Sequence, residues 1–237
     1  MVRVVKEYDE RYAEFLAVAQ ELFYSKGYEQ TSVQEIIDKV GVAKGTFYHY
    51  FGSKVDLLEA LVAHLTTQAA TALQPLVTDS SLPAMEKLAR FFEQVNTFEV
   101  TNRDFLLDTM RVLYQEENVL LRVKVQAQST ALLAPLLAQI IHQGIDEGVF
   151  SLDYPDATAE ILIGMGQGVS AAFERLIVAG ETTVIAVARV KRKVAAYERG
   201  VERILGAPAE SLCLIDPSVL AIWLPPVQTE SDSGGGR

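Results

Sequence analysis

Apolar positions recur along this chain at helical spacing, and strand-type alternation is nearly absent. Tyr8, Tyr12, Phe15, Leu16, Ala19, Leu22 and Phe23 fall on one helix face, and Gly27 predicts the stop of that helix. A second helix is expected to begin at Thr31-Ser32. Its cap is either Ser32 with Glu35 or Thr31 with Gln34, and its core face is Val33, Ile36, Ile37 and Val40 before Gly41. A very short third helix, about Ala43 to Tyr48, comes next. Ser53 then caps a fourth, with Val55, Leu58, Leu61, Val62 and Leu65 along one side. Two short helices joined by a tight glycine-containing turn, behind a longer first helix, predict a three-helix helix-turn-helix head.

At least five more helices are expected between about residues 82 and 205: Leu82–Glu99 with Pro83 near its start, Asn102–Tyr114, Glu116–Glu147, Asp156–Val178 and about Thr182 to Leu205. Pro135 sits inside the third of these and predicts a kink. Gly144, Gly148 and the turn Ser151–Pro155 are read as separating that helix from the next. The fold class is therefore all-α. Residues 1–55 are expected to form the head, 56–205 a larger helical domain, and 206–237 a proline-rich tail whose end, Thr229 to Arg237, is expected to be disordered.

Composition narrows the classes. At 237 residues, 49 % apolar and 22 % charged, the chain is of ordinary globular type. No apolar run reaches the roughly 18 residues of a membrane span, and the N-terminus lacks the apolar stretch of a secretory signal. Cys213 alone offers neither a disulfide framework nor a cysteine-based zinc site, and His64 and His142 stand apart, so no metal is expected. A cytoplasmic setting follows as the expectation. The net charge of −10 argues at first against nucleic acid. Its distribution changes that: residues 1–54 hold seven Lys/Arg against eight Asp/Glu, and Lys39 to Lys54 includes three lysines and no acid. Binding depends on the local field, so such a window is either a DNA-facing patch or a chance gap among surface charges.

The stretch Gly41 to Lys54 is the informative one. Val42, Phe47 and Phe51 are spaced to hold the third helix to the core, leaving Lys44, Gly45, Thr46, Tyr48, His49 and Tyr50 to face outward. Small residues, hydroxyls and a lysine suit a helix inserted into a major groove, with Lys54 at the start of helix four adding a cation for phosphate. The other reading of Tyr48, His49 and Tyr50 is an ordinary half-buried aromatic cluster.

The pattern A-x-x-L-F-x-x-x-G-Y (Ala19 to Tyr28), T-S-V-x-x-I (Thr31 to Ile36) and G-V-A-K-G-T-F-Y-H-Y-F-x-S-K-x-x-L-L (Gly41 to Leu58) resembles the N-terminal domain of the TetR family of bacterial transcriptional regulators. The resemblance implies phosphate or base contacts from Ser32, Lys44, Gly45, Thr46, Tyr48, His49, Tyr50 and Lys54, with Thr31 a further DNA-binding candidate beside Ser32. Ala43 stands where many members have serine, a better N-cap. The segment Ile141 to Phe150 is similar to the family's typical end of the seventh helix.

That resemblance further implies a ligand cavity framed by helices four to eight and a homodimer made by the last two long helices. Phe91, Phe92, Phe98, Phe105, Met110, Tyr114, Met165 and Phe173 are the candidates for the cavity. Nearby acids, among them Glu93, Glu99, Asp104, Asp108, Glu116 and Glu117, are either solvated faces or partners for a lipophilic cation. Gly164, Gly168, Ala171 and Ala172, with Gly166, are small enough for close helix packing at a dimer interface. The G-x-G-x-G triplet of that helix follows no strand and is not a dinucleotide loop.

The expected function is a ligand-responsive DNA-binding regulator, a repressor released from a near-palindromic double-stranded operator by a small, mainly apolar inducer. Activation in place of repression stays open. The alternative is a small-molecule-binding helical dimer that acts through protein contacts without DNA. An enzyme is not expected, because no G-x-S-x-G, H-E-x-x-H, Cys–His pair or phosphate loop is present. Neither a cofactor nor a membrane partner is expected.

Overall fold

Nine α-helices and one 3-10 turn, with no strand, make up the regular structure among the described residues of the computed structural model, 2–178 and 183–215. The helices are α1 Val2–Lys26, α2 Val33–Val40, α3 Lys44–Tyr50, α4 Lys54–Thr78, α5 Ala84–Thr101, α6 Arg103–Leu113, α7 Val119–Asp146, α8 Pro155–Val178 and α9 Val184–Leu205. The all-α expectation stands. The end of the tail, Thr229–Arg237, lies outside the described residues. Packing groups the chain into two units, one of Met1–Gln68 with Asn102–Gln128, the other of Ala69–Thr101 with Ser129–Arg237.

In the first unit, Phe15, Leu16, Ala19 and Phe23 of α1 are buried together with Ile36, Ile37, Phe47, Phe51, Leu57, Leu58 and Leu61. The helix face expected for α1 holds except at its start, where Tyr8 is 41 % exposed. Leu57, absent from the expected face of α4, is fully buried beside Leu58, so the first turns of α4 bury a wider arc than one apolar stripe.

The start of α2 settles its cap. The Glu35 N–H donates to Ser32 Oγ at 3.2 Å and the Ser32 N–H donates to Glu35 Oε2 at 2.8 Å, a reciprocal capping box. Thr31 takes a different job: it is 1 % exposed and its hydroxyl donates to the Gly27 carbonyl at 2.8 Å. Its side chain, expected to face DNA beside Ser32, therefore closes the turn from inside. Gly41 ends α2 at φ 76°, a left-handed conformation that glycine adopts without penalty, and its N–H donates to the Ile37 carbonyl. Lys26 pairs with Glu35 across the turn.

Three departures from the sequence pattern stand out, one in the first unit and two in the second. Glu116–Asn118, in the first unit, form a separate 3-10 turn, so α7 begins at Val119 and not at Glu116. Gly144, expected at the helix separation, lies inside α7, where an added Cβ would stand 2.0 Å from Cδ2 of Phe150. The missing side chain is the slot into which that ring folds as the chain turns back towards α8. The residues 207–215 are docked, with Leu212 and Leu214 buried and Ser211 and Cys213 exposed. Their backbone is held by side chains: Leu212 N–H donates to Glu202 Oε1 at 3.1 Å, Leu214 N–H to Glu198 Oε1 at 3.0 Å, and Asn96 Nδ2 donates to the Leu214 carbonyl at 2.8 Å. Burial raises the Glu202 carboxyl, but Arg199 and the Leu212 amide outweigh it and leave the group below its ordinary value.

Helix ends in this unit are likewise satisfied by neighbours. Glu147, at the end of α7, accepts from the Ala84 N–H of α5 at 2.9 Å, and buried Lys87 donates to the Val77 carbonyl in the last turn of α4 at 2.6 Å. Between α8 and α9 the small residues do what their size suggests. A Cβ on Gly166 would be 3.4 Å from the Tyr197 hydroxyl, and one on Gly200 would be 3.0 Å from Met165 Cε.

Two outcomes follow. Gly144→Ala forces the Phe150 ring to move and is expected to cost about 1–3 kcal/mol, read as a thermal midpoint lower by several degrees; an unchanged midpoint refutes the close packing. The Glu35 carboxyl is held down, first by Lys26 and then by the Ser32 N–H and hydroxyl, from its ordinary 4.5 to about 2. A depressed carboxyl stabilises the fold above its unfolded value, and that contribution disappears as pH falls through the folded one. The urea midpoint of the wild type should therefore approach that of Glu35→Gln between pH 4.5 and about 2. A constant gap between the two proteins across that window refutes the clamp.

Candidate nucleic-acid interface

Seven residues are too few for α3 to be stable alone, since isolated helices below about 12–15 residues are marginal in water. Its N-cap, Ala43, makes no side-chain hydrogen bond, as expected from the alanine there. What fixes it is Phe47, fully buried, with its ring 5.7 Å from Phe15 and 5.6 Å from Phe51. With Phe47 inside, the opposite side of α3 faces solvent. Lys44, Gly45, Tyr48 and His49 are exposed, Thr46 and Tyr50 are half-buried, and Ser32 is exposed at the start of α2. Tyr48 is 50 % exposed, which is unusual for a tyrosine serving only to pack. A Cβ on Gly45 would meet nothing within 4 Å, so the backbone there is open to close approach.

Tyr50 divides its surface between two roles. Its ring lies 4.5 Å from Tyr8, 5.6 Å from Phe15 and 6.5 Å from Tyr12, so the aromatic-cluster reading is correct for this residue. Lys54, expected to reach for phosphate, is directed inward: its Nζ donates to the Tyr28 carbonyl at 2.9 Å and the Thr31 carbonyl at 3.1 Å, and stands 4.0 Å from the centre of the Tyr28 ring. Burial lowers the Lys54 ammonium from its ordinary value, and burial beside Glu29 pushes the Tyr28 phenol up to about 12. In this conformation Lys54 fixes the turn before α2.

Asp108 of α6 holds the same turn from another side. The Tyr28 N–H donates to its Oδ2 at 3.3 Å, Arg111 pairs with its Oδ1 at 2.8 Å, and a Cβ on Gly27 would be 2.7 Å from that carboxylate. In the sequence Asp108 stands only among the acids near the expected cavity, with no local signal for this contact. Equally without a sequence signal is a cleft of about 390 Å³ between α1 and α3, lined by Tyr8, Arg11, Val42, Ala43, Thr46, His49 and Tyr50.

The cavity candidates fall in both packing units. Phe91 and Phe92 are buried on α5 with rings 5.5 Å apart, Phe92 lies 6.5 Å from Tyr197, Phe173 is buried, and Phe98 and Met165 are half-buried. In the first unit Phe105 packs 4.9 Å from Tyr24, Met110 is half-buried, and Tyr114 carries the Arg122 guanidinium 4.5 Å from its ring. Of the interface candidates, Gly164 and Gly168 are exposed with open space where a Cβ would be, Ala171 is half-buried and Ala172 is buried. Among the described residues no group of three or more His, Cys, Asp or Glu could hold a metal ion, and no helix is long and apolar enough to cross a membrane.

The sequence pattern that defines the bacterial regulatory proteins of the tetR family matches residues 15–61, and that of a tetracyclin repressor-like C-terminal domain matches residues 100–169. The chain is similar to the HTH-type transcriptional repressor KstR2 of Mycobacterium tuberculosis, 27 % identical over 157 residues that cover 65 % of this chain and 76 % of the relative. Its fold is similar to that of RolR crystallised with resorcinol, with a TM-score of 0.60 at 16 % identity, covering 94 % of this chain and 100 % of the other. It is likewise similar to FadR from Bacillus subtilis crystallised with stearoyl-CoA, with a TM-score of 0.54 at 24 % identity, covering 78 % and 97 %. A buried Phe47 that turns the polar side of α3 outward, in a head whose residues 15–61 match the family's DNA-binding pattern, places this chain in the TetR family of DNA-binding transcriptional regulators.

Proposed function

We propose that the protein is a cytoplasmic, ligand-responsive repressor that works by binding and not by catalysis. A homodimer built on α8 and α9 presents two copies of α3 to successive major grooves, about one helical turn apart, and so reads a near-palindromic operator. The observation that carries this reading is the division of α3 into one buried ring and an exposed set of Lys44, Gly45, Tyr48 and His49. Exposed Ser32, with half-buried Thr46 and Tyr50, completes the contact set. Exposed Ile161, Gly164 and Gly168 on α8, and Val184 and Ile185 on α9, favour association through these helices, because apolar and small side chains in water gain most by being covered.

The inducer is proposed to be small and mainly apolar, held among the aromatic positions of α5 and α8. It releases DNA by binding better to a form whose two heads are wrongly spaced, which needs about 1–3 kcal/mol of coupling. Relatives crystallised with resorcinol and with stearoyl-CoA accord with an aromatic or acyl ligand class. The ligand-binding dimer that acts without DNA is disfavoured by the exposed face of α3.

Fluorescence anisotropy on duplexes tiling the DNA upstream of the protein's own gene tests the reading. Lys44→Ala and Tyr48→Ala are each expected to weaken binding about tenfold, on the order of one charge-assisted or buried hydrogen bond, with circular dichroism and dimer mass unchanged. Wild-type affinity in both variants refutes the assignment of α3.

A further inference from the structure

The contact set above leaves the cleft between α1 and α3 unused. Its polar wall groups are the Arg11 guanidinium, the phenols of Tyr8 and Tyr50, the His49 imidazole and the Thr46 hydroxyl, and none of the lining residues is an acid. Each of these groups can donate a hydrogen bond. The aromatic side of the cleft is packed in place, with Tyr8 tilted over Tyr50 and edge-on to His49, and with Tyr12 stacked behind at 6.3 Å from Tyr8. Donors already positioned lose little freedom on binding. A volume near 390 Å³ is ample for one phosphodiester with parts of its two sugars.

The charge pattern of the head points the same way. Lys26 is paired with Glu35, Lys39 with Glu21, and Lys54 is bound to two carbonyls. Arg11 is engaged by Glu14 on its own helix, but a guanidinium has five N–H donors in a fixed fork, so donors remain for a second oxyanion. Among the described side chains of the head, Arg11 is thus, beside Lys44, the cation best placed to meet an anion that lies along α3.

We propose that the α1–α3 cleft seats one phosphate of the DNA strand flanking the groove read by α3, with Arg11 supplying the charge and Tyr8 a neutral hydrogen bond. The proposal rests on the DNA-binding reading and extends it to α1, outside the helix-turn-helix itself. A phosphate clamp fixes the register of α3 along the duplex without reading sequence. It gives the recognition helix a second anchor on the DNA, as Phe47 gives it one in the protein.

The test uses the full-length protein, fluorescein-labelled duplexes tiling the DNA upstream of its own gene, and a sodium chloride series. Arg11→Gln is expected to weaken binding about five- to tenfold and to lower the steepness of log K against log salt by about 0.9 for each protomer engaged. Arg11→Lys should keep the wild-type slope. Tyr8→Phe should weaken binding with the slope unchanged, and the order of preference among duplexes should be the same for every variant. Glu14→Gln removes the competing carboxylate and should bind more tightly than the wild type, so the proposal does not depend on one variant folding. Tight wild-type binding to one duplex, with wild-type affinity and slope in both Arg11→Gln and Glu14→Gln, overturns the cleft as a phosphate seat and leaves the α3 reading intact. Absence of wild-type binding to any duplex overturns both.

Discussion

Everything proposed for the head depends on the burial of one ring. A seven-residue helix cannot hold itself in water, so its orientation is set by whichever side chain it surrenders to the core. Phe47 is that side chain, and its full burial is worth about 1.5–3 kcal/mol, enough to decide which side of the helix turns inward. The choice of ring also decides the chemistry outside. The helical period carries Tyr48 and His49 round from Phe47 to solvent, and Lys44 is exposed in the first turn of the helix.

The turn before α2 is the second constraint, and it is electrostatic. Tyr28 offers its N–H to Asp108 and its carbonyl to Lys54, so a carboxylate from α6 and an ammonium from α4 grip the same peptide segment from opposite polarities. Thr31 ties the turn to Gly27 from within, and the Ser32–Glu35 box starts α2 at once afterwards. Backbone groups that a six-residue connection would otherwise leave to water are thereby assigned to side chains. Position and direction of α2 are then inherited from two other helices of the same unit, which is why a charged residue on α6 belongs to the description of the head at all.

The helices were legible in the sequence because their signals are local. Apolar period, the Ser32 cap and the glycines at 27 and 41 each act within one or two turns, and all appear where the pattern places them. Roles that depend on distant partners are not legible in this way. Thr31 and Lys54 look like polar residues beside a DNA-facing helix, and only the fold reveals that backbone carbonyls claim them first. Gly144 reads as part of the separation between two helices, whereas its role is set by a ring six residues on that needs its space. Leu212 and Leu214 alternate with polar residues in strand fashion, yet no strand receives them. Their partners are Glu198 and Glu202, one helical turn apart on α9, together with Asn96 on α5, and no short window of sequence contains that combination. Asp108 is the same lesson at longer range.

Charge supplies the last step. A chain with net charge −10 is repelled by DNA at long range, so non-specific attraction of the kind that basic proteins enjoy is weak. The head itself is nearly balanced, and several of its cations are already spent on internal partners. Under the proposed reading, affinity must then come from a few donors held in fixed places: hydroxyls and phenols along α3, Lys44 at its start, and the cleft beside it. Such contacts act only when the groove geometry matches, since they lack the reach of unpaired charge. An acidic regulator of this construction gives up tight binding to arbitrary DNA and retains binding where two heads and two grooves coincide, which is the discrimination a repressor requires against a genome of competing sites.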